Sequence, residues 1–300
     1  RASADSAARA AGARVAALAT SPVPVVPHTT PQPRYEMILD RFSITTREQL
    51  TCGCHVHVSV DSDEEGVAVL DRIRTWLPVL TALTANSPFW NGTDTGYASF
   101  RSQAWGRIPT TGPHDIFGSA QGYHGHVQAL LATGVPLDEA MMYFDARLSR
   151  DHPTVEIRVA DVCLDADTTV LLAALVRALV ETASRQWCAG EPPQPVSVAV
   201  LRLAGWQASR WGIESDLLHP LDNRPHAAGD VITALLEHVR PALIEAGDEA
   251  TVEALLAQVL ADGTGSRRQR AVFQRRGRLS DVVIDAISIT NTGQSRLNRR

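Results

Sequence analysis

The chain has 300 residues, of which 44% are hydrophobic, and its formal net charge is −5 at pH 7. This length and composition allow one or two domains with a sizeable core, and no apolar run is long enough to cross a bilayer. The negative charge argues against a general nucleic-acid binder, and four cysteines in so long a chain do not form a disulfide framework, so a cytoplasmic location is expected.

The spacing of apolar residues predicts a mainly helical chain with a few strands. The predicted helices cover residues 2–13, 35–49, 61–86, 122–133, 168–187, 196–211, 230–245, 249–260 and 267–286. Strands are predicted over residues 14–20, 51–60 and 154–161. Pro78 predicts a kink in the third helix, because proline has no backbone N–H to donate. Two further segments are expected to be irregular, a long functional loop over residues 87–118 and a shorter stretch over residues 141–149.

The second and third predicted strands carry polar side chains on one face. In the second strand, valines recur at every other position, which puts His55 and His57 together on the opposite face. In the third strand, the same alternation puts Glu156 and Arg158 on one face. If both polar faces belong to one sheet, these four side chains converge. They then offer metal ligands beside a fixed positive charge, which is what handling a nucleotide phosphate requires.

Simpler interpretations exist for each of these residues. His55 and His57 could form a hydrogen-bonded pair without a ligand, and Glu156 and Arg158 could join neighbouring strands in ion pairs. A zinc site that includes the two nearby cysteines is disfavoured, because cysteines and histidines of a regular strand face opposite ways.

Nine ordered stretches, spread over almost the whole chain, carry a specific resemblance. They are Thr-Ser-Pro-Val-Pro (20–24), Pro-Arg-Tyr (33–35), Gly-Cys-His-Val-His-Val (53–58), Trp-Leu-Pro (76–78), Asn-Ser-Pro-Phe-Trp (86–90), Asp-Thr-Gly-Tyr-Ala-Ser (94–99), Pro-Thr-Thr-Gly (109–112), Thr-Val-Glu-Ile-Arg-Val-Ala-Asp (154–161) and Arg-Gln-Arg (268–270). Together they resemble the carboxylate-amine ligase family that includes the type 2 glutamate–cysteine ligases.

This resemblance implies an α+β fold related to glutamine synthetase. The expected architecture is a curved, mainly antiparallel sheet with helices packed on one side, followed by a helical C-terminal part. We expect one domain over residues 1–288, with the sheet in residues 1–190, helices in residues 196–288, and a flexible tail over residues 289–300. Family members begin with glutamate-rich strands that supply metal ligands, and these strands are expected to be absent from this chain.

The resemblance also implies an activity, an ATP-dependent ligation that forms an amide through an acyl phosphate. Glutamate would be one substrate and cysteine or another amine the second, with Mg²⁺ or Mn²⁺ accompanying ATP. No nucleic acid or membrane partner is expected, and a homo-oligomer is left open. The implied roles are metal binding by His55 and Glu156, nucleotide binding by His57, Arg158 and Arg268, catalysis by Arg158 and Glu156, and substrate binding by Tyr97, Ser99 and Arg101.

Several departures from the family pattern bear on activity. Besides the absent glutamate-rich strands, Leu148 and Arg150 stand where the family tends to have prolines, and Gln207 replaces an arginine. Two alternatives therefore stay open. The first is a truncated, catalytically inactive relative that keeps the fold and weak nucleotide binding. The second is a metal-dependent amide hydrolase that uses the same histidine and glutamate face.

Overall fold

The computed structural model describes residues 1–291, which form thirteen α-helices and seven short strands. The helices are α1 Ala2–Ala10, α2 Pro33–Phe42, α3 Ile44–Arg47, α4 Asp63–Ile73, α5 Leu77–Leu83, α6 Phe100–Trp105, α7 Ala120–Ala132, α8 Ala166–Cys188, α9 Val198–Trp211, α10 Ala228–Ala246, α11 Glu249–Asp262, α12 Gly265–Arg276 and α13 Leu279–Asn291. The strands are β1 Gly53–Ser59, β2 Phe89–Trp90, β3 Thr93–Asp94, β4 Ala146–Leu148, β5 Thr154–Asp161, β6 Asp216–Leu218 and β7 Pro225–Ala227. None of the helices within residues 1–291 is both long and apolar enough to span a membrane.

The central sheet has three antiparallel strands in the order β1, β5, β4, and the α+β prediction is confirmed. The pairs β2–β3 and β6–β7 form two separate two-stranded sheets. In the central sheet, His57 of β1 and Arg147 of β4 both lie opposite Glu156 of β5. Because directly opposite residues share one face of a sheet, a polar row crosses all three strands.

Strand β5 contains one more residue than β1 at the middle of their pairing. Cys54 and Val56, two residues apart, pair with Ala160 and Ile157, which are three residues apart. The register therefore shifts next to Arg158. Such a bulge increases the local twist and redirects side chains, and bulges are common beside functional sites.

The apolar face of the sheet packs into one continuous hydrophobic core. Val155 and Ile157 of β5 are at most 1% exposed, and α4, α5 and α8 pack against the sheet. The same core continues through α8 to α10 and α11, in which the buried side chains include Leu171, Leu175, Leu179, Val231, Leu235, Val252 and Leu256. Helices α12 and α13 contribute Val272 and Val282 to a separate small cluster around Phe89. The single domain expected over residues 1–288 stays a prediction.

The helix predicted over residues 61–86 is two helices, α4 and α5, which are separated at residues 74–76. Pro78 is the second residue of α5 rather than the centre of a kink. The N–H groups of a first turn have no partner within the helix, so proline is tolerated there at little cost.

The helix predicted over residues 267–286 is also two helices, because Gly277 adopts a φ of +73° and ends α12. The following helix, α13, continues to Asn291, which is three residues into the segment predicted as a tail. The remainder of that segment, residues 292–300, lies outside the described residues.

Three expectations for irregular or extended segments were wrong in detail. The stretch over residues 141–149, expected to be irregular, contains strand β4. Residues 14–20 form no strand and contribute only an isolated bridge between Thr20 and Thr51. The loop predicted over residues 87–118 contains the β2–β3 hairpin and helix α6. The hairpin turn is Asn91-Gly92, in which both residues have positive φ, as a tight two-residue turn requires.

Candidate functional site

Glu156 is the centre of a charged cluster on the polar face of the central sheet. Its side chain is buried, and Oε1 lies 2.9 Å from Nδ1 of His55 and 3.8 Å from Nε2 of His57. Arg158 donates to the same oxygen, while Nε of Arg147 donates to Oε2 at 2.7 Å. The predicted convergence of two imidazoles, a carboxylate and a guanidinium is therefore observed, and the roles assigned to them stay predictions.

Opposing effects act on the ionisation of this cluster. Burial raises the pKa of Glu156, but hydrogen bonds from His55 and Arg147 and the charge of Arg158 together hold that pKa well below its usual range. Burial lowers the pKa of His57 and of Arg158, and attraction to Glu156 offsets part of each shift. Two guanidinium groups around one ionised carboxylate leave the cluster positively charged, which suits a phosphate ligand.

The donor set of the cluster does not fit a magnesium ion. Within residues 1–291, no group of three or more His, Cys, Asp or Glu side chains is arranged to hold a metal. Magnesium prefers octahedral oxygen ligands, whereas the cluster has one carboxylate, and both of its oxygens already accept from arginines. His55 and Glu156, the predicted metal ligands, are in contact with each other, and their metal role stays a prediction.

A cavity of about 380 Å³ lies next to the cluster, with Arg158 in its wall. The other charged and aromatic residues that line it are Arg101, Arg107, Arg202, Asp145, Trp105, Tyr143 and Trp206. They come from the loop that precedes β4 and from α6, α9 and the residues that follow α6. A cavity of this size and positive character can hold a small anionic ligand in contact with Arg158.

Two of the residues predicted to bind substrate, Arg101 and Ser99, donate side-chain hydrogen bonds to strand β5. Arg101 is 4% exposed and donates to the carbonyl oxygens of Arg158 at 3.0 Å and Val159 at 3.2 Å. The Ser99 hydroxyl is buried and donates to Oδ1 of Asp161 at 2.9 Å. In this structure both side chains support β5, and their contact with substrate stays a prediction.

Tyr97 and Arg268, predicted to bind substrate and nucleotide, lie in different parts of the structure. Tyr97 accepts a hydrogen bond from Nε1 of Trp206 at 3.2 Å, which brings Tyr97 beside the cavity that Trp206 lines. Arg268, expected to bind the nucleotide, is exposed on α12 and pairs with Asp285 of α13 at 3.1 Å. Arg268 is not among the residues that line the cavity.

Sequence reasoning missed Asp145, Arg147 and Arg202. Asp145 and Arg147 flank the buried Ala146, an alternation typical of a strand, but β4 has only three residues and its surroundings are aperiodic. Arg202 lies within a predicted helix, and no feature of the sequence separates it from a surface arginine. Gln207, one of the departures from the family pattern, donates to the carbonyl oxygen of Asp216 at 2.8 Å.

Comparison with known proteins gives consistent results over most of the chain. A family model described as glutamate–cysteine ligase family 2 (GCS2) matches residues 1–285. A protein of Paenarthrobacter aurescens named "Putative glutamate--cysteine ligase 2-1" is 60% identical over 291 residues, which is 97% of this chain and 76% of that protein. A Streptomyces coelicolor protein named "Putative glutamate--cysteine ligase 2" is 54% identical over 279 residues, which is 93% of this chain and 77% of that protein.

Among solved structures, the glutamate–cysteine ligase of Francisella tularensis in complex with AMP is similar to this chain, with a TM-score of 0.55. The sequences are 12% identical, and the match covers 77% of this chain and 59% of that chain. At this level of identity the similarity shows a shared fold.

Proposed function

The chain belongs to glutamate–cysteine ligase family 2, and we propose on this basis that it is an ATP-dependent carboxylate-amine ligase. The proposed substrates are glutamate, which reacts through its γ-carboxylate, and cysteine or another amine. The observation that carries the proposal is the buried Glu156 cluster, in which Arg147 and Arg158 pair with Glu156 and Arg158 also lines a cavity of about 380 Å³.

The proposed reaction has two steps. One γ-carboxylate oxygen of glutamate attacks the γ-phosphorus of ATP, and the bond from that phosphorus to ADP breaks. The amine nitrogen then attacks the acyl carbon of the resulting acyl phosphate, inorganic phosphate leaves, and the nitrogen loses a proton. Both steps need neutralisation of charge and alignment of the reactants more than they need a protein nucleophile.

Arg158 is the proposed donor to the transferring phosphate. It lines the cavity, and Glu156 holds its guanidinium from one side while Arg147 holds Glu156 from the other. A guanidinium that is already oriented loses little conformational freedom when it binds phosphate. His57 is exposed on the same face and is the proposed neighbour of the nucleotide.

A divalent ion enters the proposal only as a companion of ATP. Because the Glu156 cluster does not fit Mg²⁺ or Mn²⁺ as it stands, no step is assigned to the ion. The substrate roles of Tyr97, Ser99 and Arg101 and the nucleotide role of Arg268 stay predictions. The cytoplasmic location also stays a prediction, and the oligomeric state stays open.

The direct test measures ADP release from ATP with glutamate and cysteine, each omitted in turn, in the presence of Mg²⁺ or Mn²⁺. We expect release that requires both amino acids, together with an amide product identified by mass spectrometry. No release with any amine from a folded chain would favour the inactive relative. Amide cleavage without ATP would favour the hydrolase.

Arg158→Ala is expected to lower the rate of ADP release by about 100-fold or more, which is the usual cost of losing a preorganised donor to developing charge. Glu156→Gln keeps the shape of the side chain but removes the charge that orients both arginines, so a similar loss is expected. Arg224→Ala, at an exposed position, is the matched control. Circular dichroism monitors the fold, and a wild-type rate in Arg158→Ala would refute its assigned role.

A further inference from the structure

Within residues 1–291, two opposite charges in the cavity have no hydrogen-bond or ion-pair partner. Arg107, on the same wall, pairs with Glu48 at 2.6 Å. By contrast, the Asp145 carboxylate and the Arg202 guanidinium form no hydrogen bond or ion pair with any residue of the described chain. Charged groups that line a cavity without partners are available to a ligand.

Asp145 is held firmly at the start of β4. Its N–H donates to the carbonyl oxygen of Gly112 and its carbonyl oxygen accepts from the N–H of Arg158, both at 2.9 Å. It lies two residues from Arg147, and therefore on the same polar face of the sheet as Glu156. Although Arg158 is its neighbour across the strands, the guanidinium of Arg158 is turned to Glu156. The Asp145 carboxylate therefore remains available to a ligand in the cavity.

Arg202 projects from α9 over the same space. A Cβ atom placed on Gly112 would lie 3.9 Å from its Nε and NH2 atoms, so the guanidinium lies above the segment to which Asp145 is bonded. Burial raises the pKa of Asp145 to about 6, and the charges of Arg101 and Arg202 oppose that rise. Asp145 and Arg202 therefore interact across the cavity without forming an ion pair.

We propose that Asp145 and Arg202 bind the α-ammonium and the α-carboxylate of the amino-acid substrate, with the reacting side-chain carboxylate directed towards Arg158. The inference rests on the proposed ligase function and names the residues that recognise its donor substrate. A zwitterionic amino acid carries the two charges that complement this pair. A ligand that lacks the ammonium leaves the half-buried Asp145 carboxylate unpaired, which is the usual physical basis of strong discrimination. Arg202 is exposed, and it attracts the α-carboxylate from the solvent side of the cavity.

The test compares the binding of three ligands by calorimetry. Glutamate carries both charges, glutarate lacks the amino group, and 4-aminobutyrate lacks the α-carboxylate. Asp145→Asn should lower the affinity for glutamate and for 4-aminobutyrate by about 10- to 100-fold and leave the affinity for glutarate unchanged. Arg202→Gln should lower the affinity for glutamate and for glutarate by a similar factor and leave the affinity for 4-aminobutyrate unchanged.

Arg107→Gln is the matched control, because it removes a cavity arginine that has its own partner in Glu48. It should affect all three ligands alike. Glutamate affinity within about threefold of wild type in either test variant would overturn the proposal, as would failure of the wild-type chain to bind any of the three ligands.

Parallel measurement of ADP release separates this inference from the proposed function. If the chain releases no ADP but the two variants change the ligand affinities as expected, the ligase function is refuted and the assignment of Asp145 and Arg202 is supported. If the chain releases ADP but neither variant changes the ligand preference, the assignment of Asp145 and Arg202 is refuted and the ligase function is supported.

Discussion

Glu156 and Asp145 are two carboxylates on one face of the central sheet, and their surroundings shift their pKa values in opposite directions. Burial raises the pKa of both carboxyl groups, but hydrogen bonds from His55 and Arg147 and the charge of Arg158 reverse the shift for Glu156. Asp145 has only the more distant charges of Arg101 and Arg202, so its pKa stays raised at about 6. Neighbouring carboxyl groups in such different surroundings are suited to different tasks. We assign Glu156 to orienting the arginines and Asp145 to binding substrate.

Asp145→Asn is expected to stabilise the fold at neutral pH. With a native pKa of about 6 and an ordinary value of 3.8, the native chain holds a proton that the unfolded chain has lost between these values. Wild-type stability therefore falls as pH rises from about 4 to about 6, and asparagine removes that loss. Because Asp145 is only half-buried, we expect a gain of about 1 kcal/mol at pH 8 and almost none at pH 4.

Urea denaturation at the two pH values checks this gain. Asp216→Asn, which changes an exposed carboxylate on β6, is the control. A difference between Asp145→Asn and wild type that is the same at both pH values would contradict the assignment of a raised pKa.

At the scale of secondary structure, β5 is the element on which the site depends, and hydrogen bonds from Arg101 stabilise its bulge. The guanidinium of Arg101 lies against Gly53 of β1 and donates to the carbonyl oxygens of Arg158 and Val159. A Cβ atom on Gly53 would overlap Nη2 of Arg101, so only glycine leaves room for this arrangement. The position of Arg158 therefore depends on the absence of a side chain on the neighbouring strand.

Gly53→Ala is expected to displace Arg101 and release the bulge. The loss of two hydrogen bonds from a buried charged group should cost about 2 kcal/mol of unfolding free energy and lower the rate of ADP release. Gly125→Ala is the control, because nothing lies within 4 Å of the added Cβ and alanine is favoured within a helix. Chemical denaturation should show opposite signs for the two variants. An unchanged stability in Gly53→Ala would remove the support proposed for the bulge.

At the scale of the whole molecule, Asn86 joins segments that are far apart in sequence. Its Nδ2 donates to the carbonyl oxygens of Ala17 at 2.9 Å and Val162 at 2.7 Å, and its Oδ1 accepts from Nε2 of Gln269 at 2.7 Å. Its backbone N–H donates to Oδ2 of Asp161 at 2.8 Å. The residue is 1% exposed, so these bonds are shielded from water. One side chain thus ties the N-terminal segment, the end of β5 and α12 together.

Asn86→Ala is expected to lower the free energy of unfolding by about 3 kcal/mol, because several buried polar groups lose their partner at once. Gln128→Ala on the exposed face of α7 is the control and should be close to neutral. Both are measured by urea denaturation. If Asn86→Ala matched the control, this network would not contribute to the stability of the fold.

The sequence by itself determined the two long strands and the polar face on which His55, His57, Glu156 and Arg158 meet. Side-chain direction along a strand follows from local backbone geometry, so alternating valines were sufficient evidence. The ordered motifs identified the family for a similar reason, since each is a short local pattern. The ends of helices were harder to predict, because Pro78 and Gly277 act through backbone conformations that composition alone does not specify.

Only the tertiary structure decided which charges are bonded and which remain free. Arg101, which stays a predicted substrate contact, donates to β5 in this structure. Asp145 and Arg202 carried no signal in the sequence, and they line the cavity without a bonded partner among residues 1–291. Asp145 and Arg202 are more than fifty residues apart and belong to different elements. Their proximity follows from how α9 packs against α5 and α6, and such packing depends on the summed contacts of many residues rather than on any local pattern.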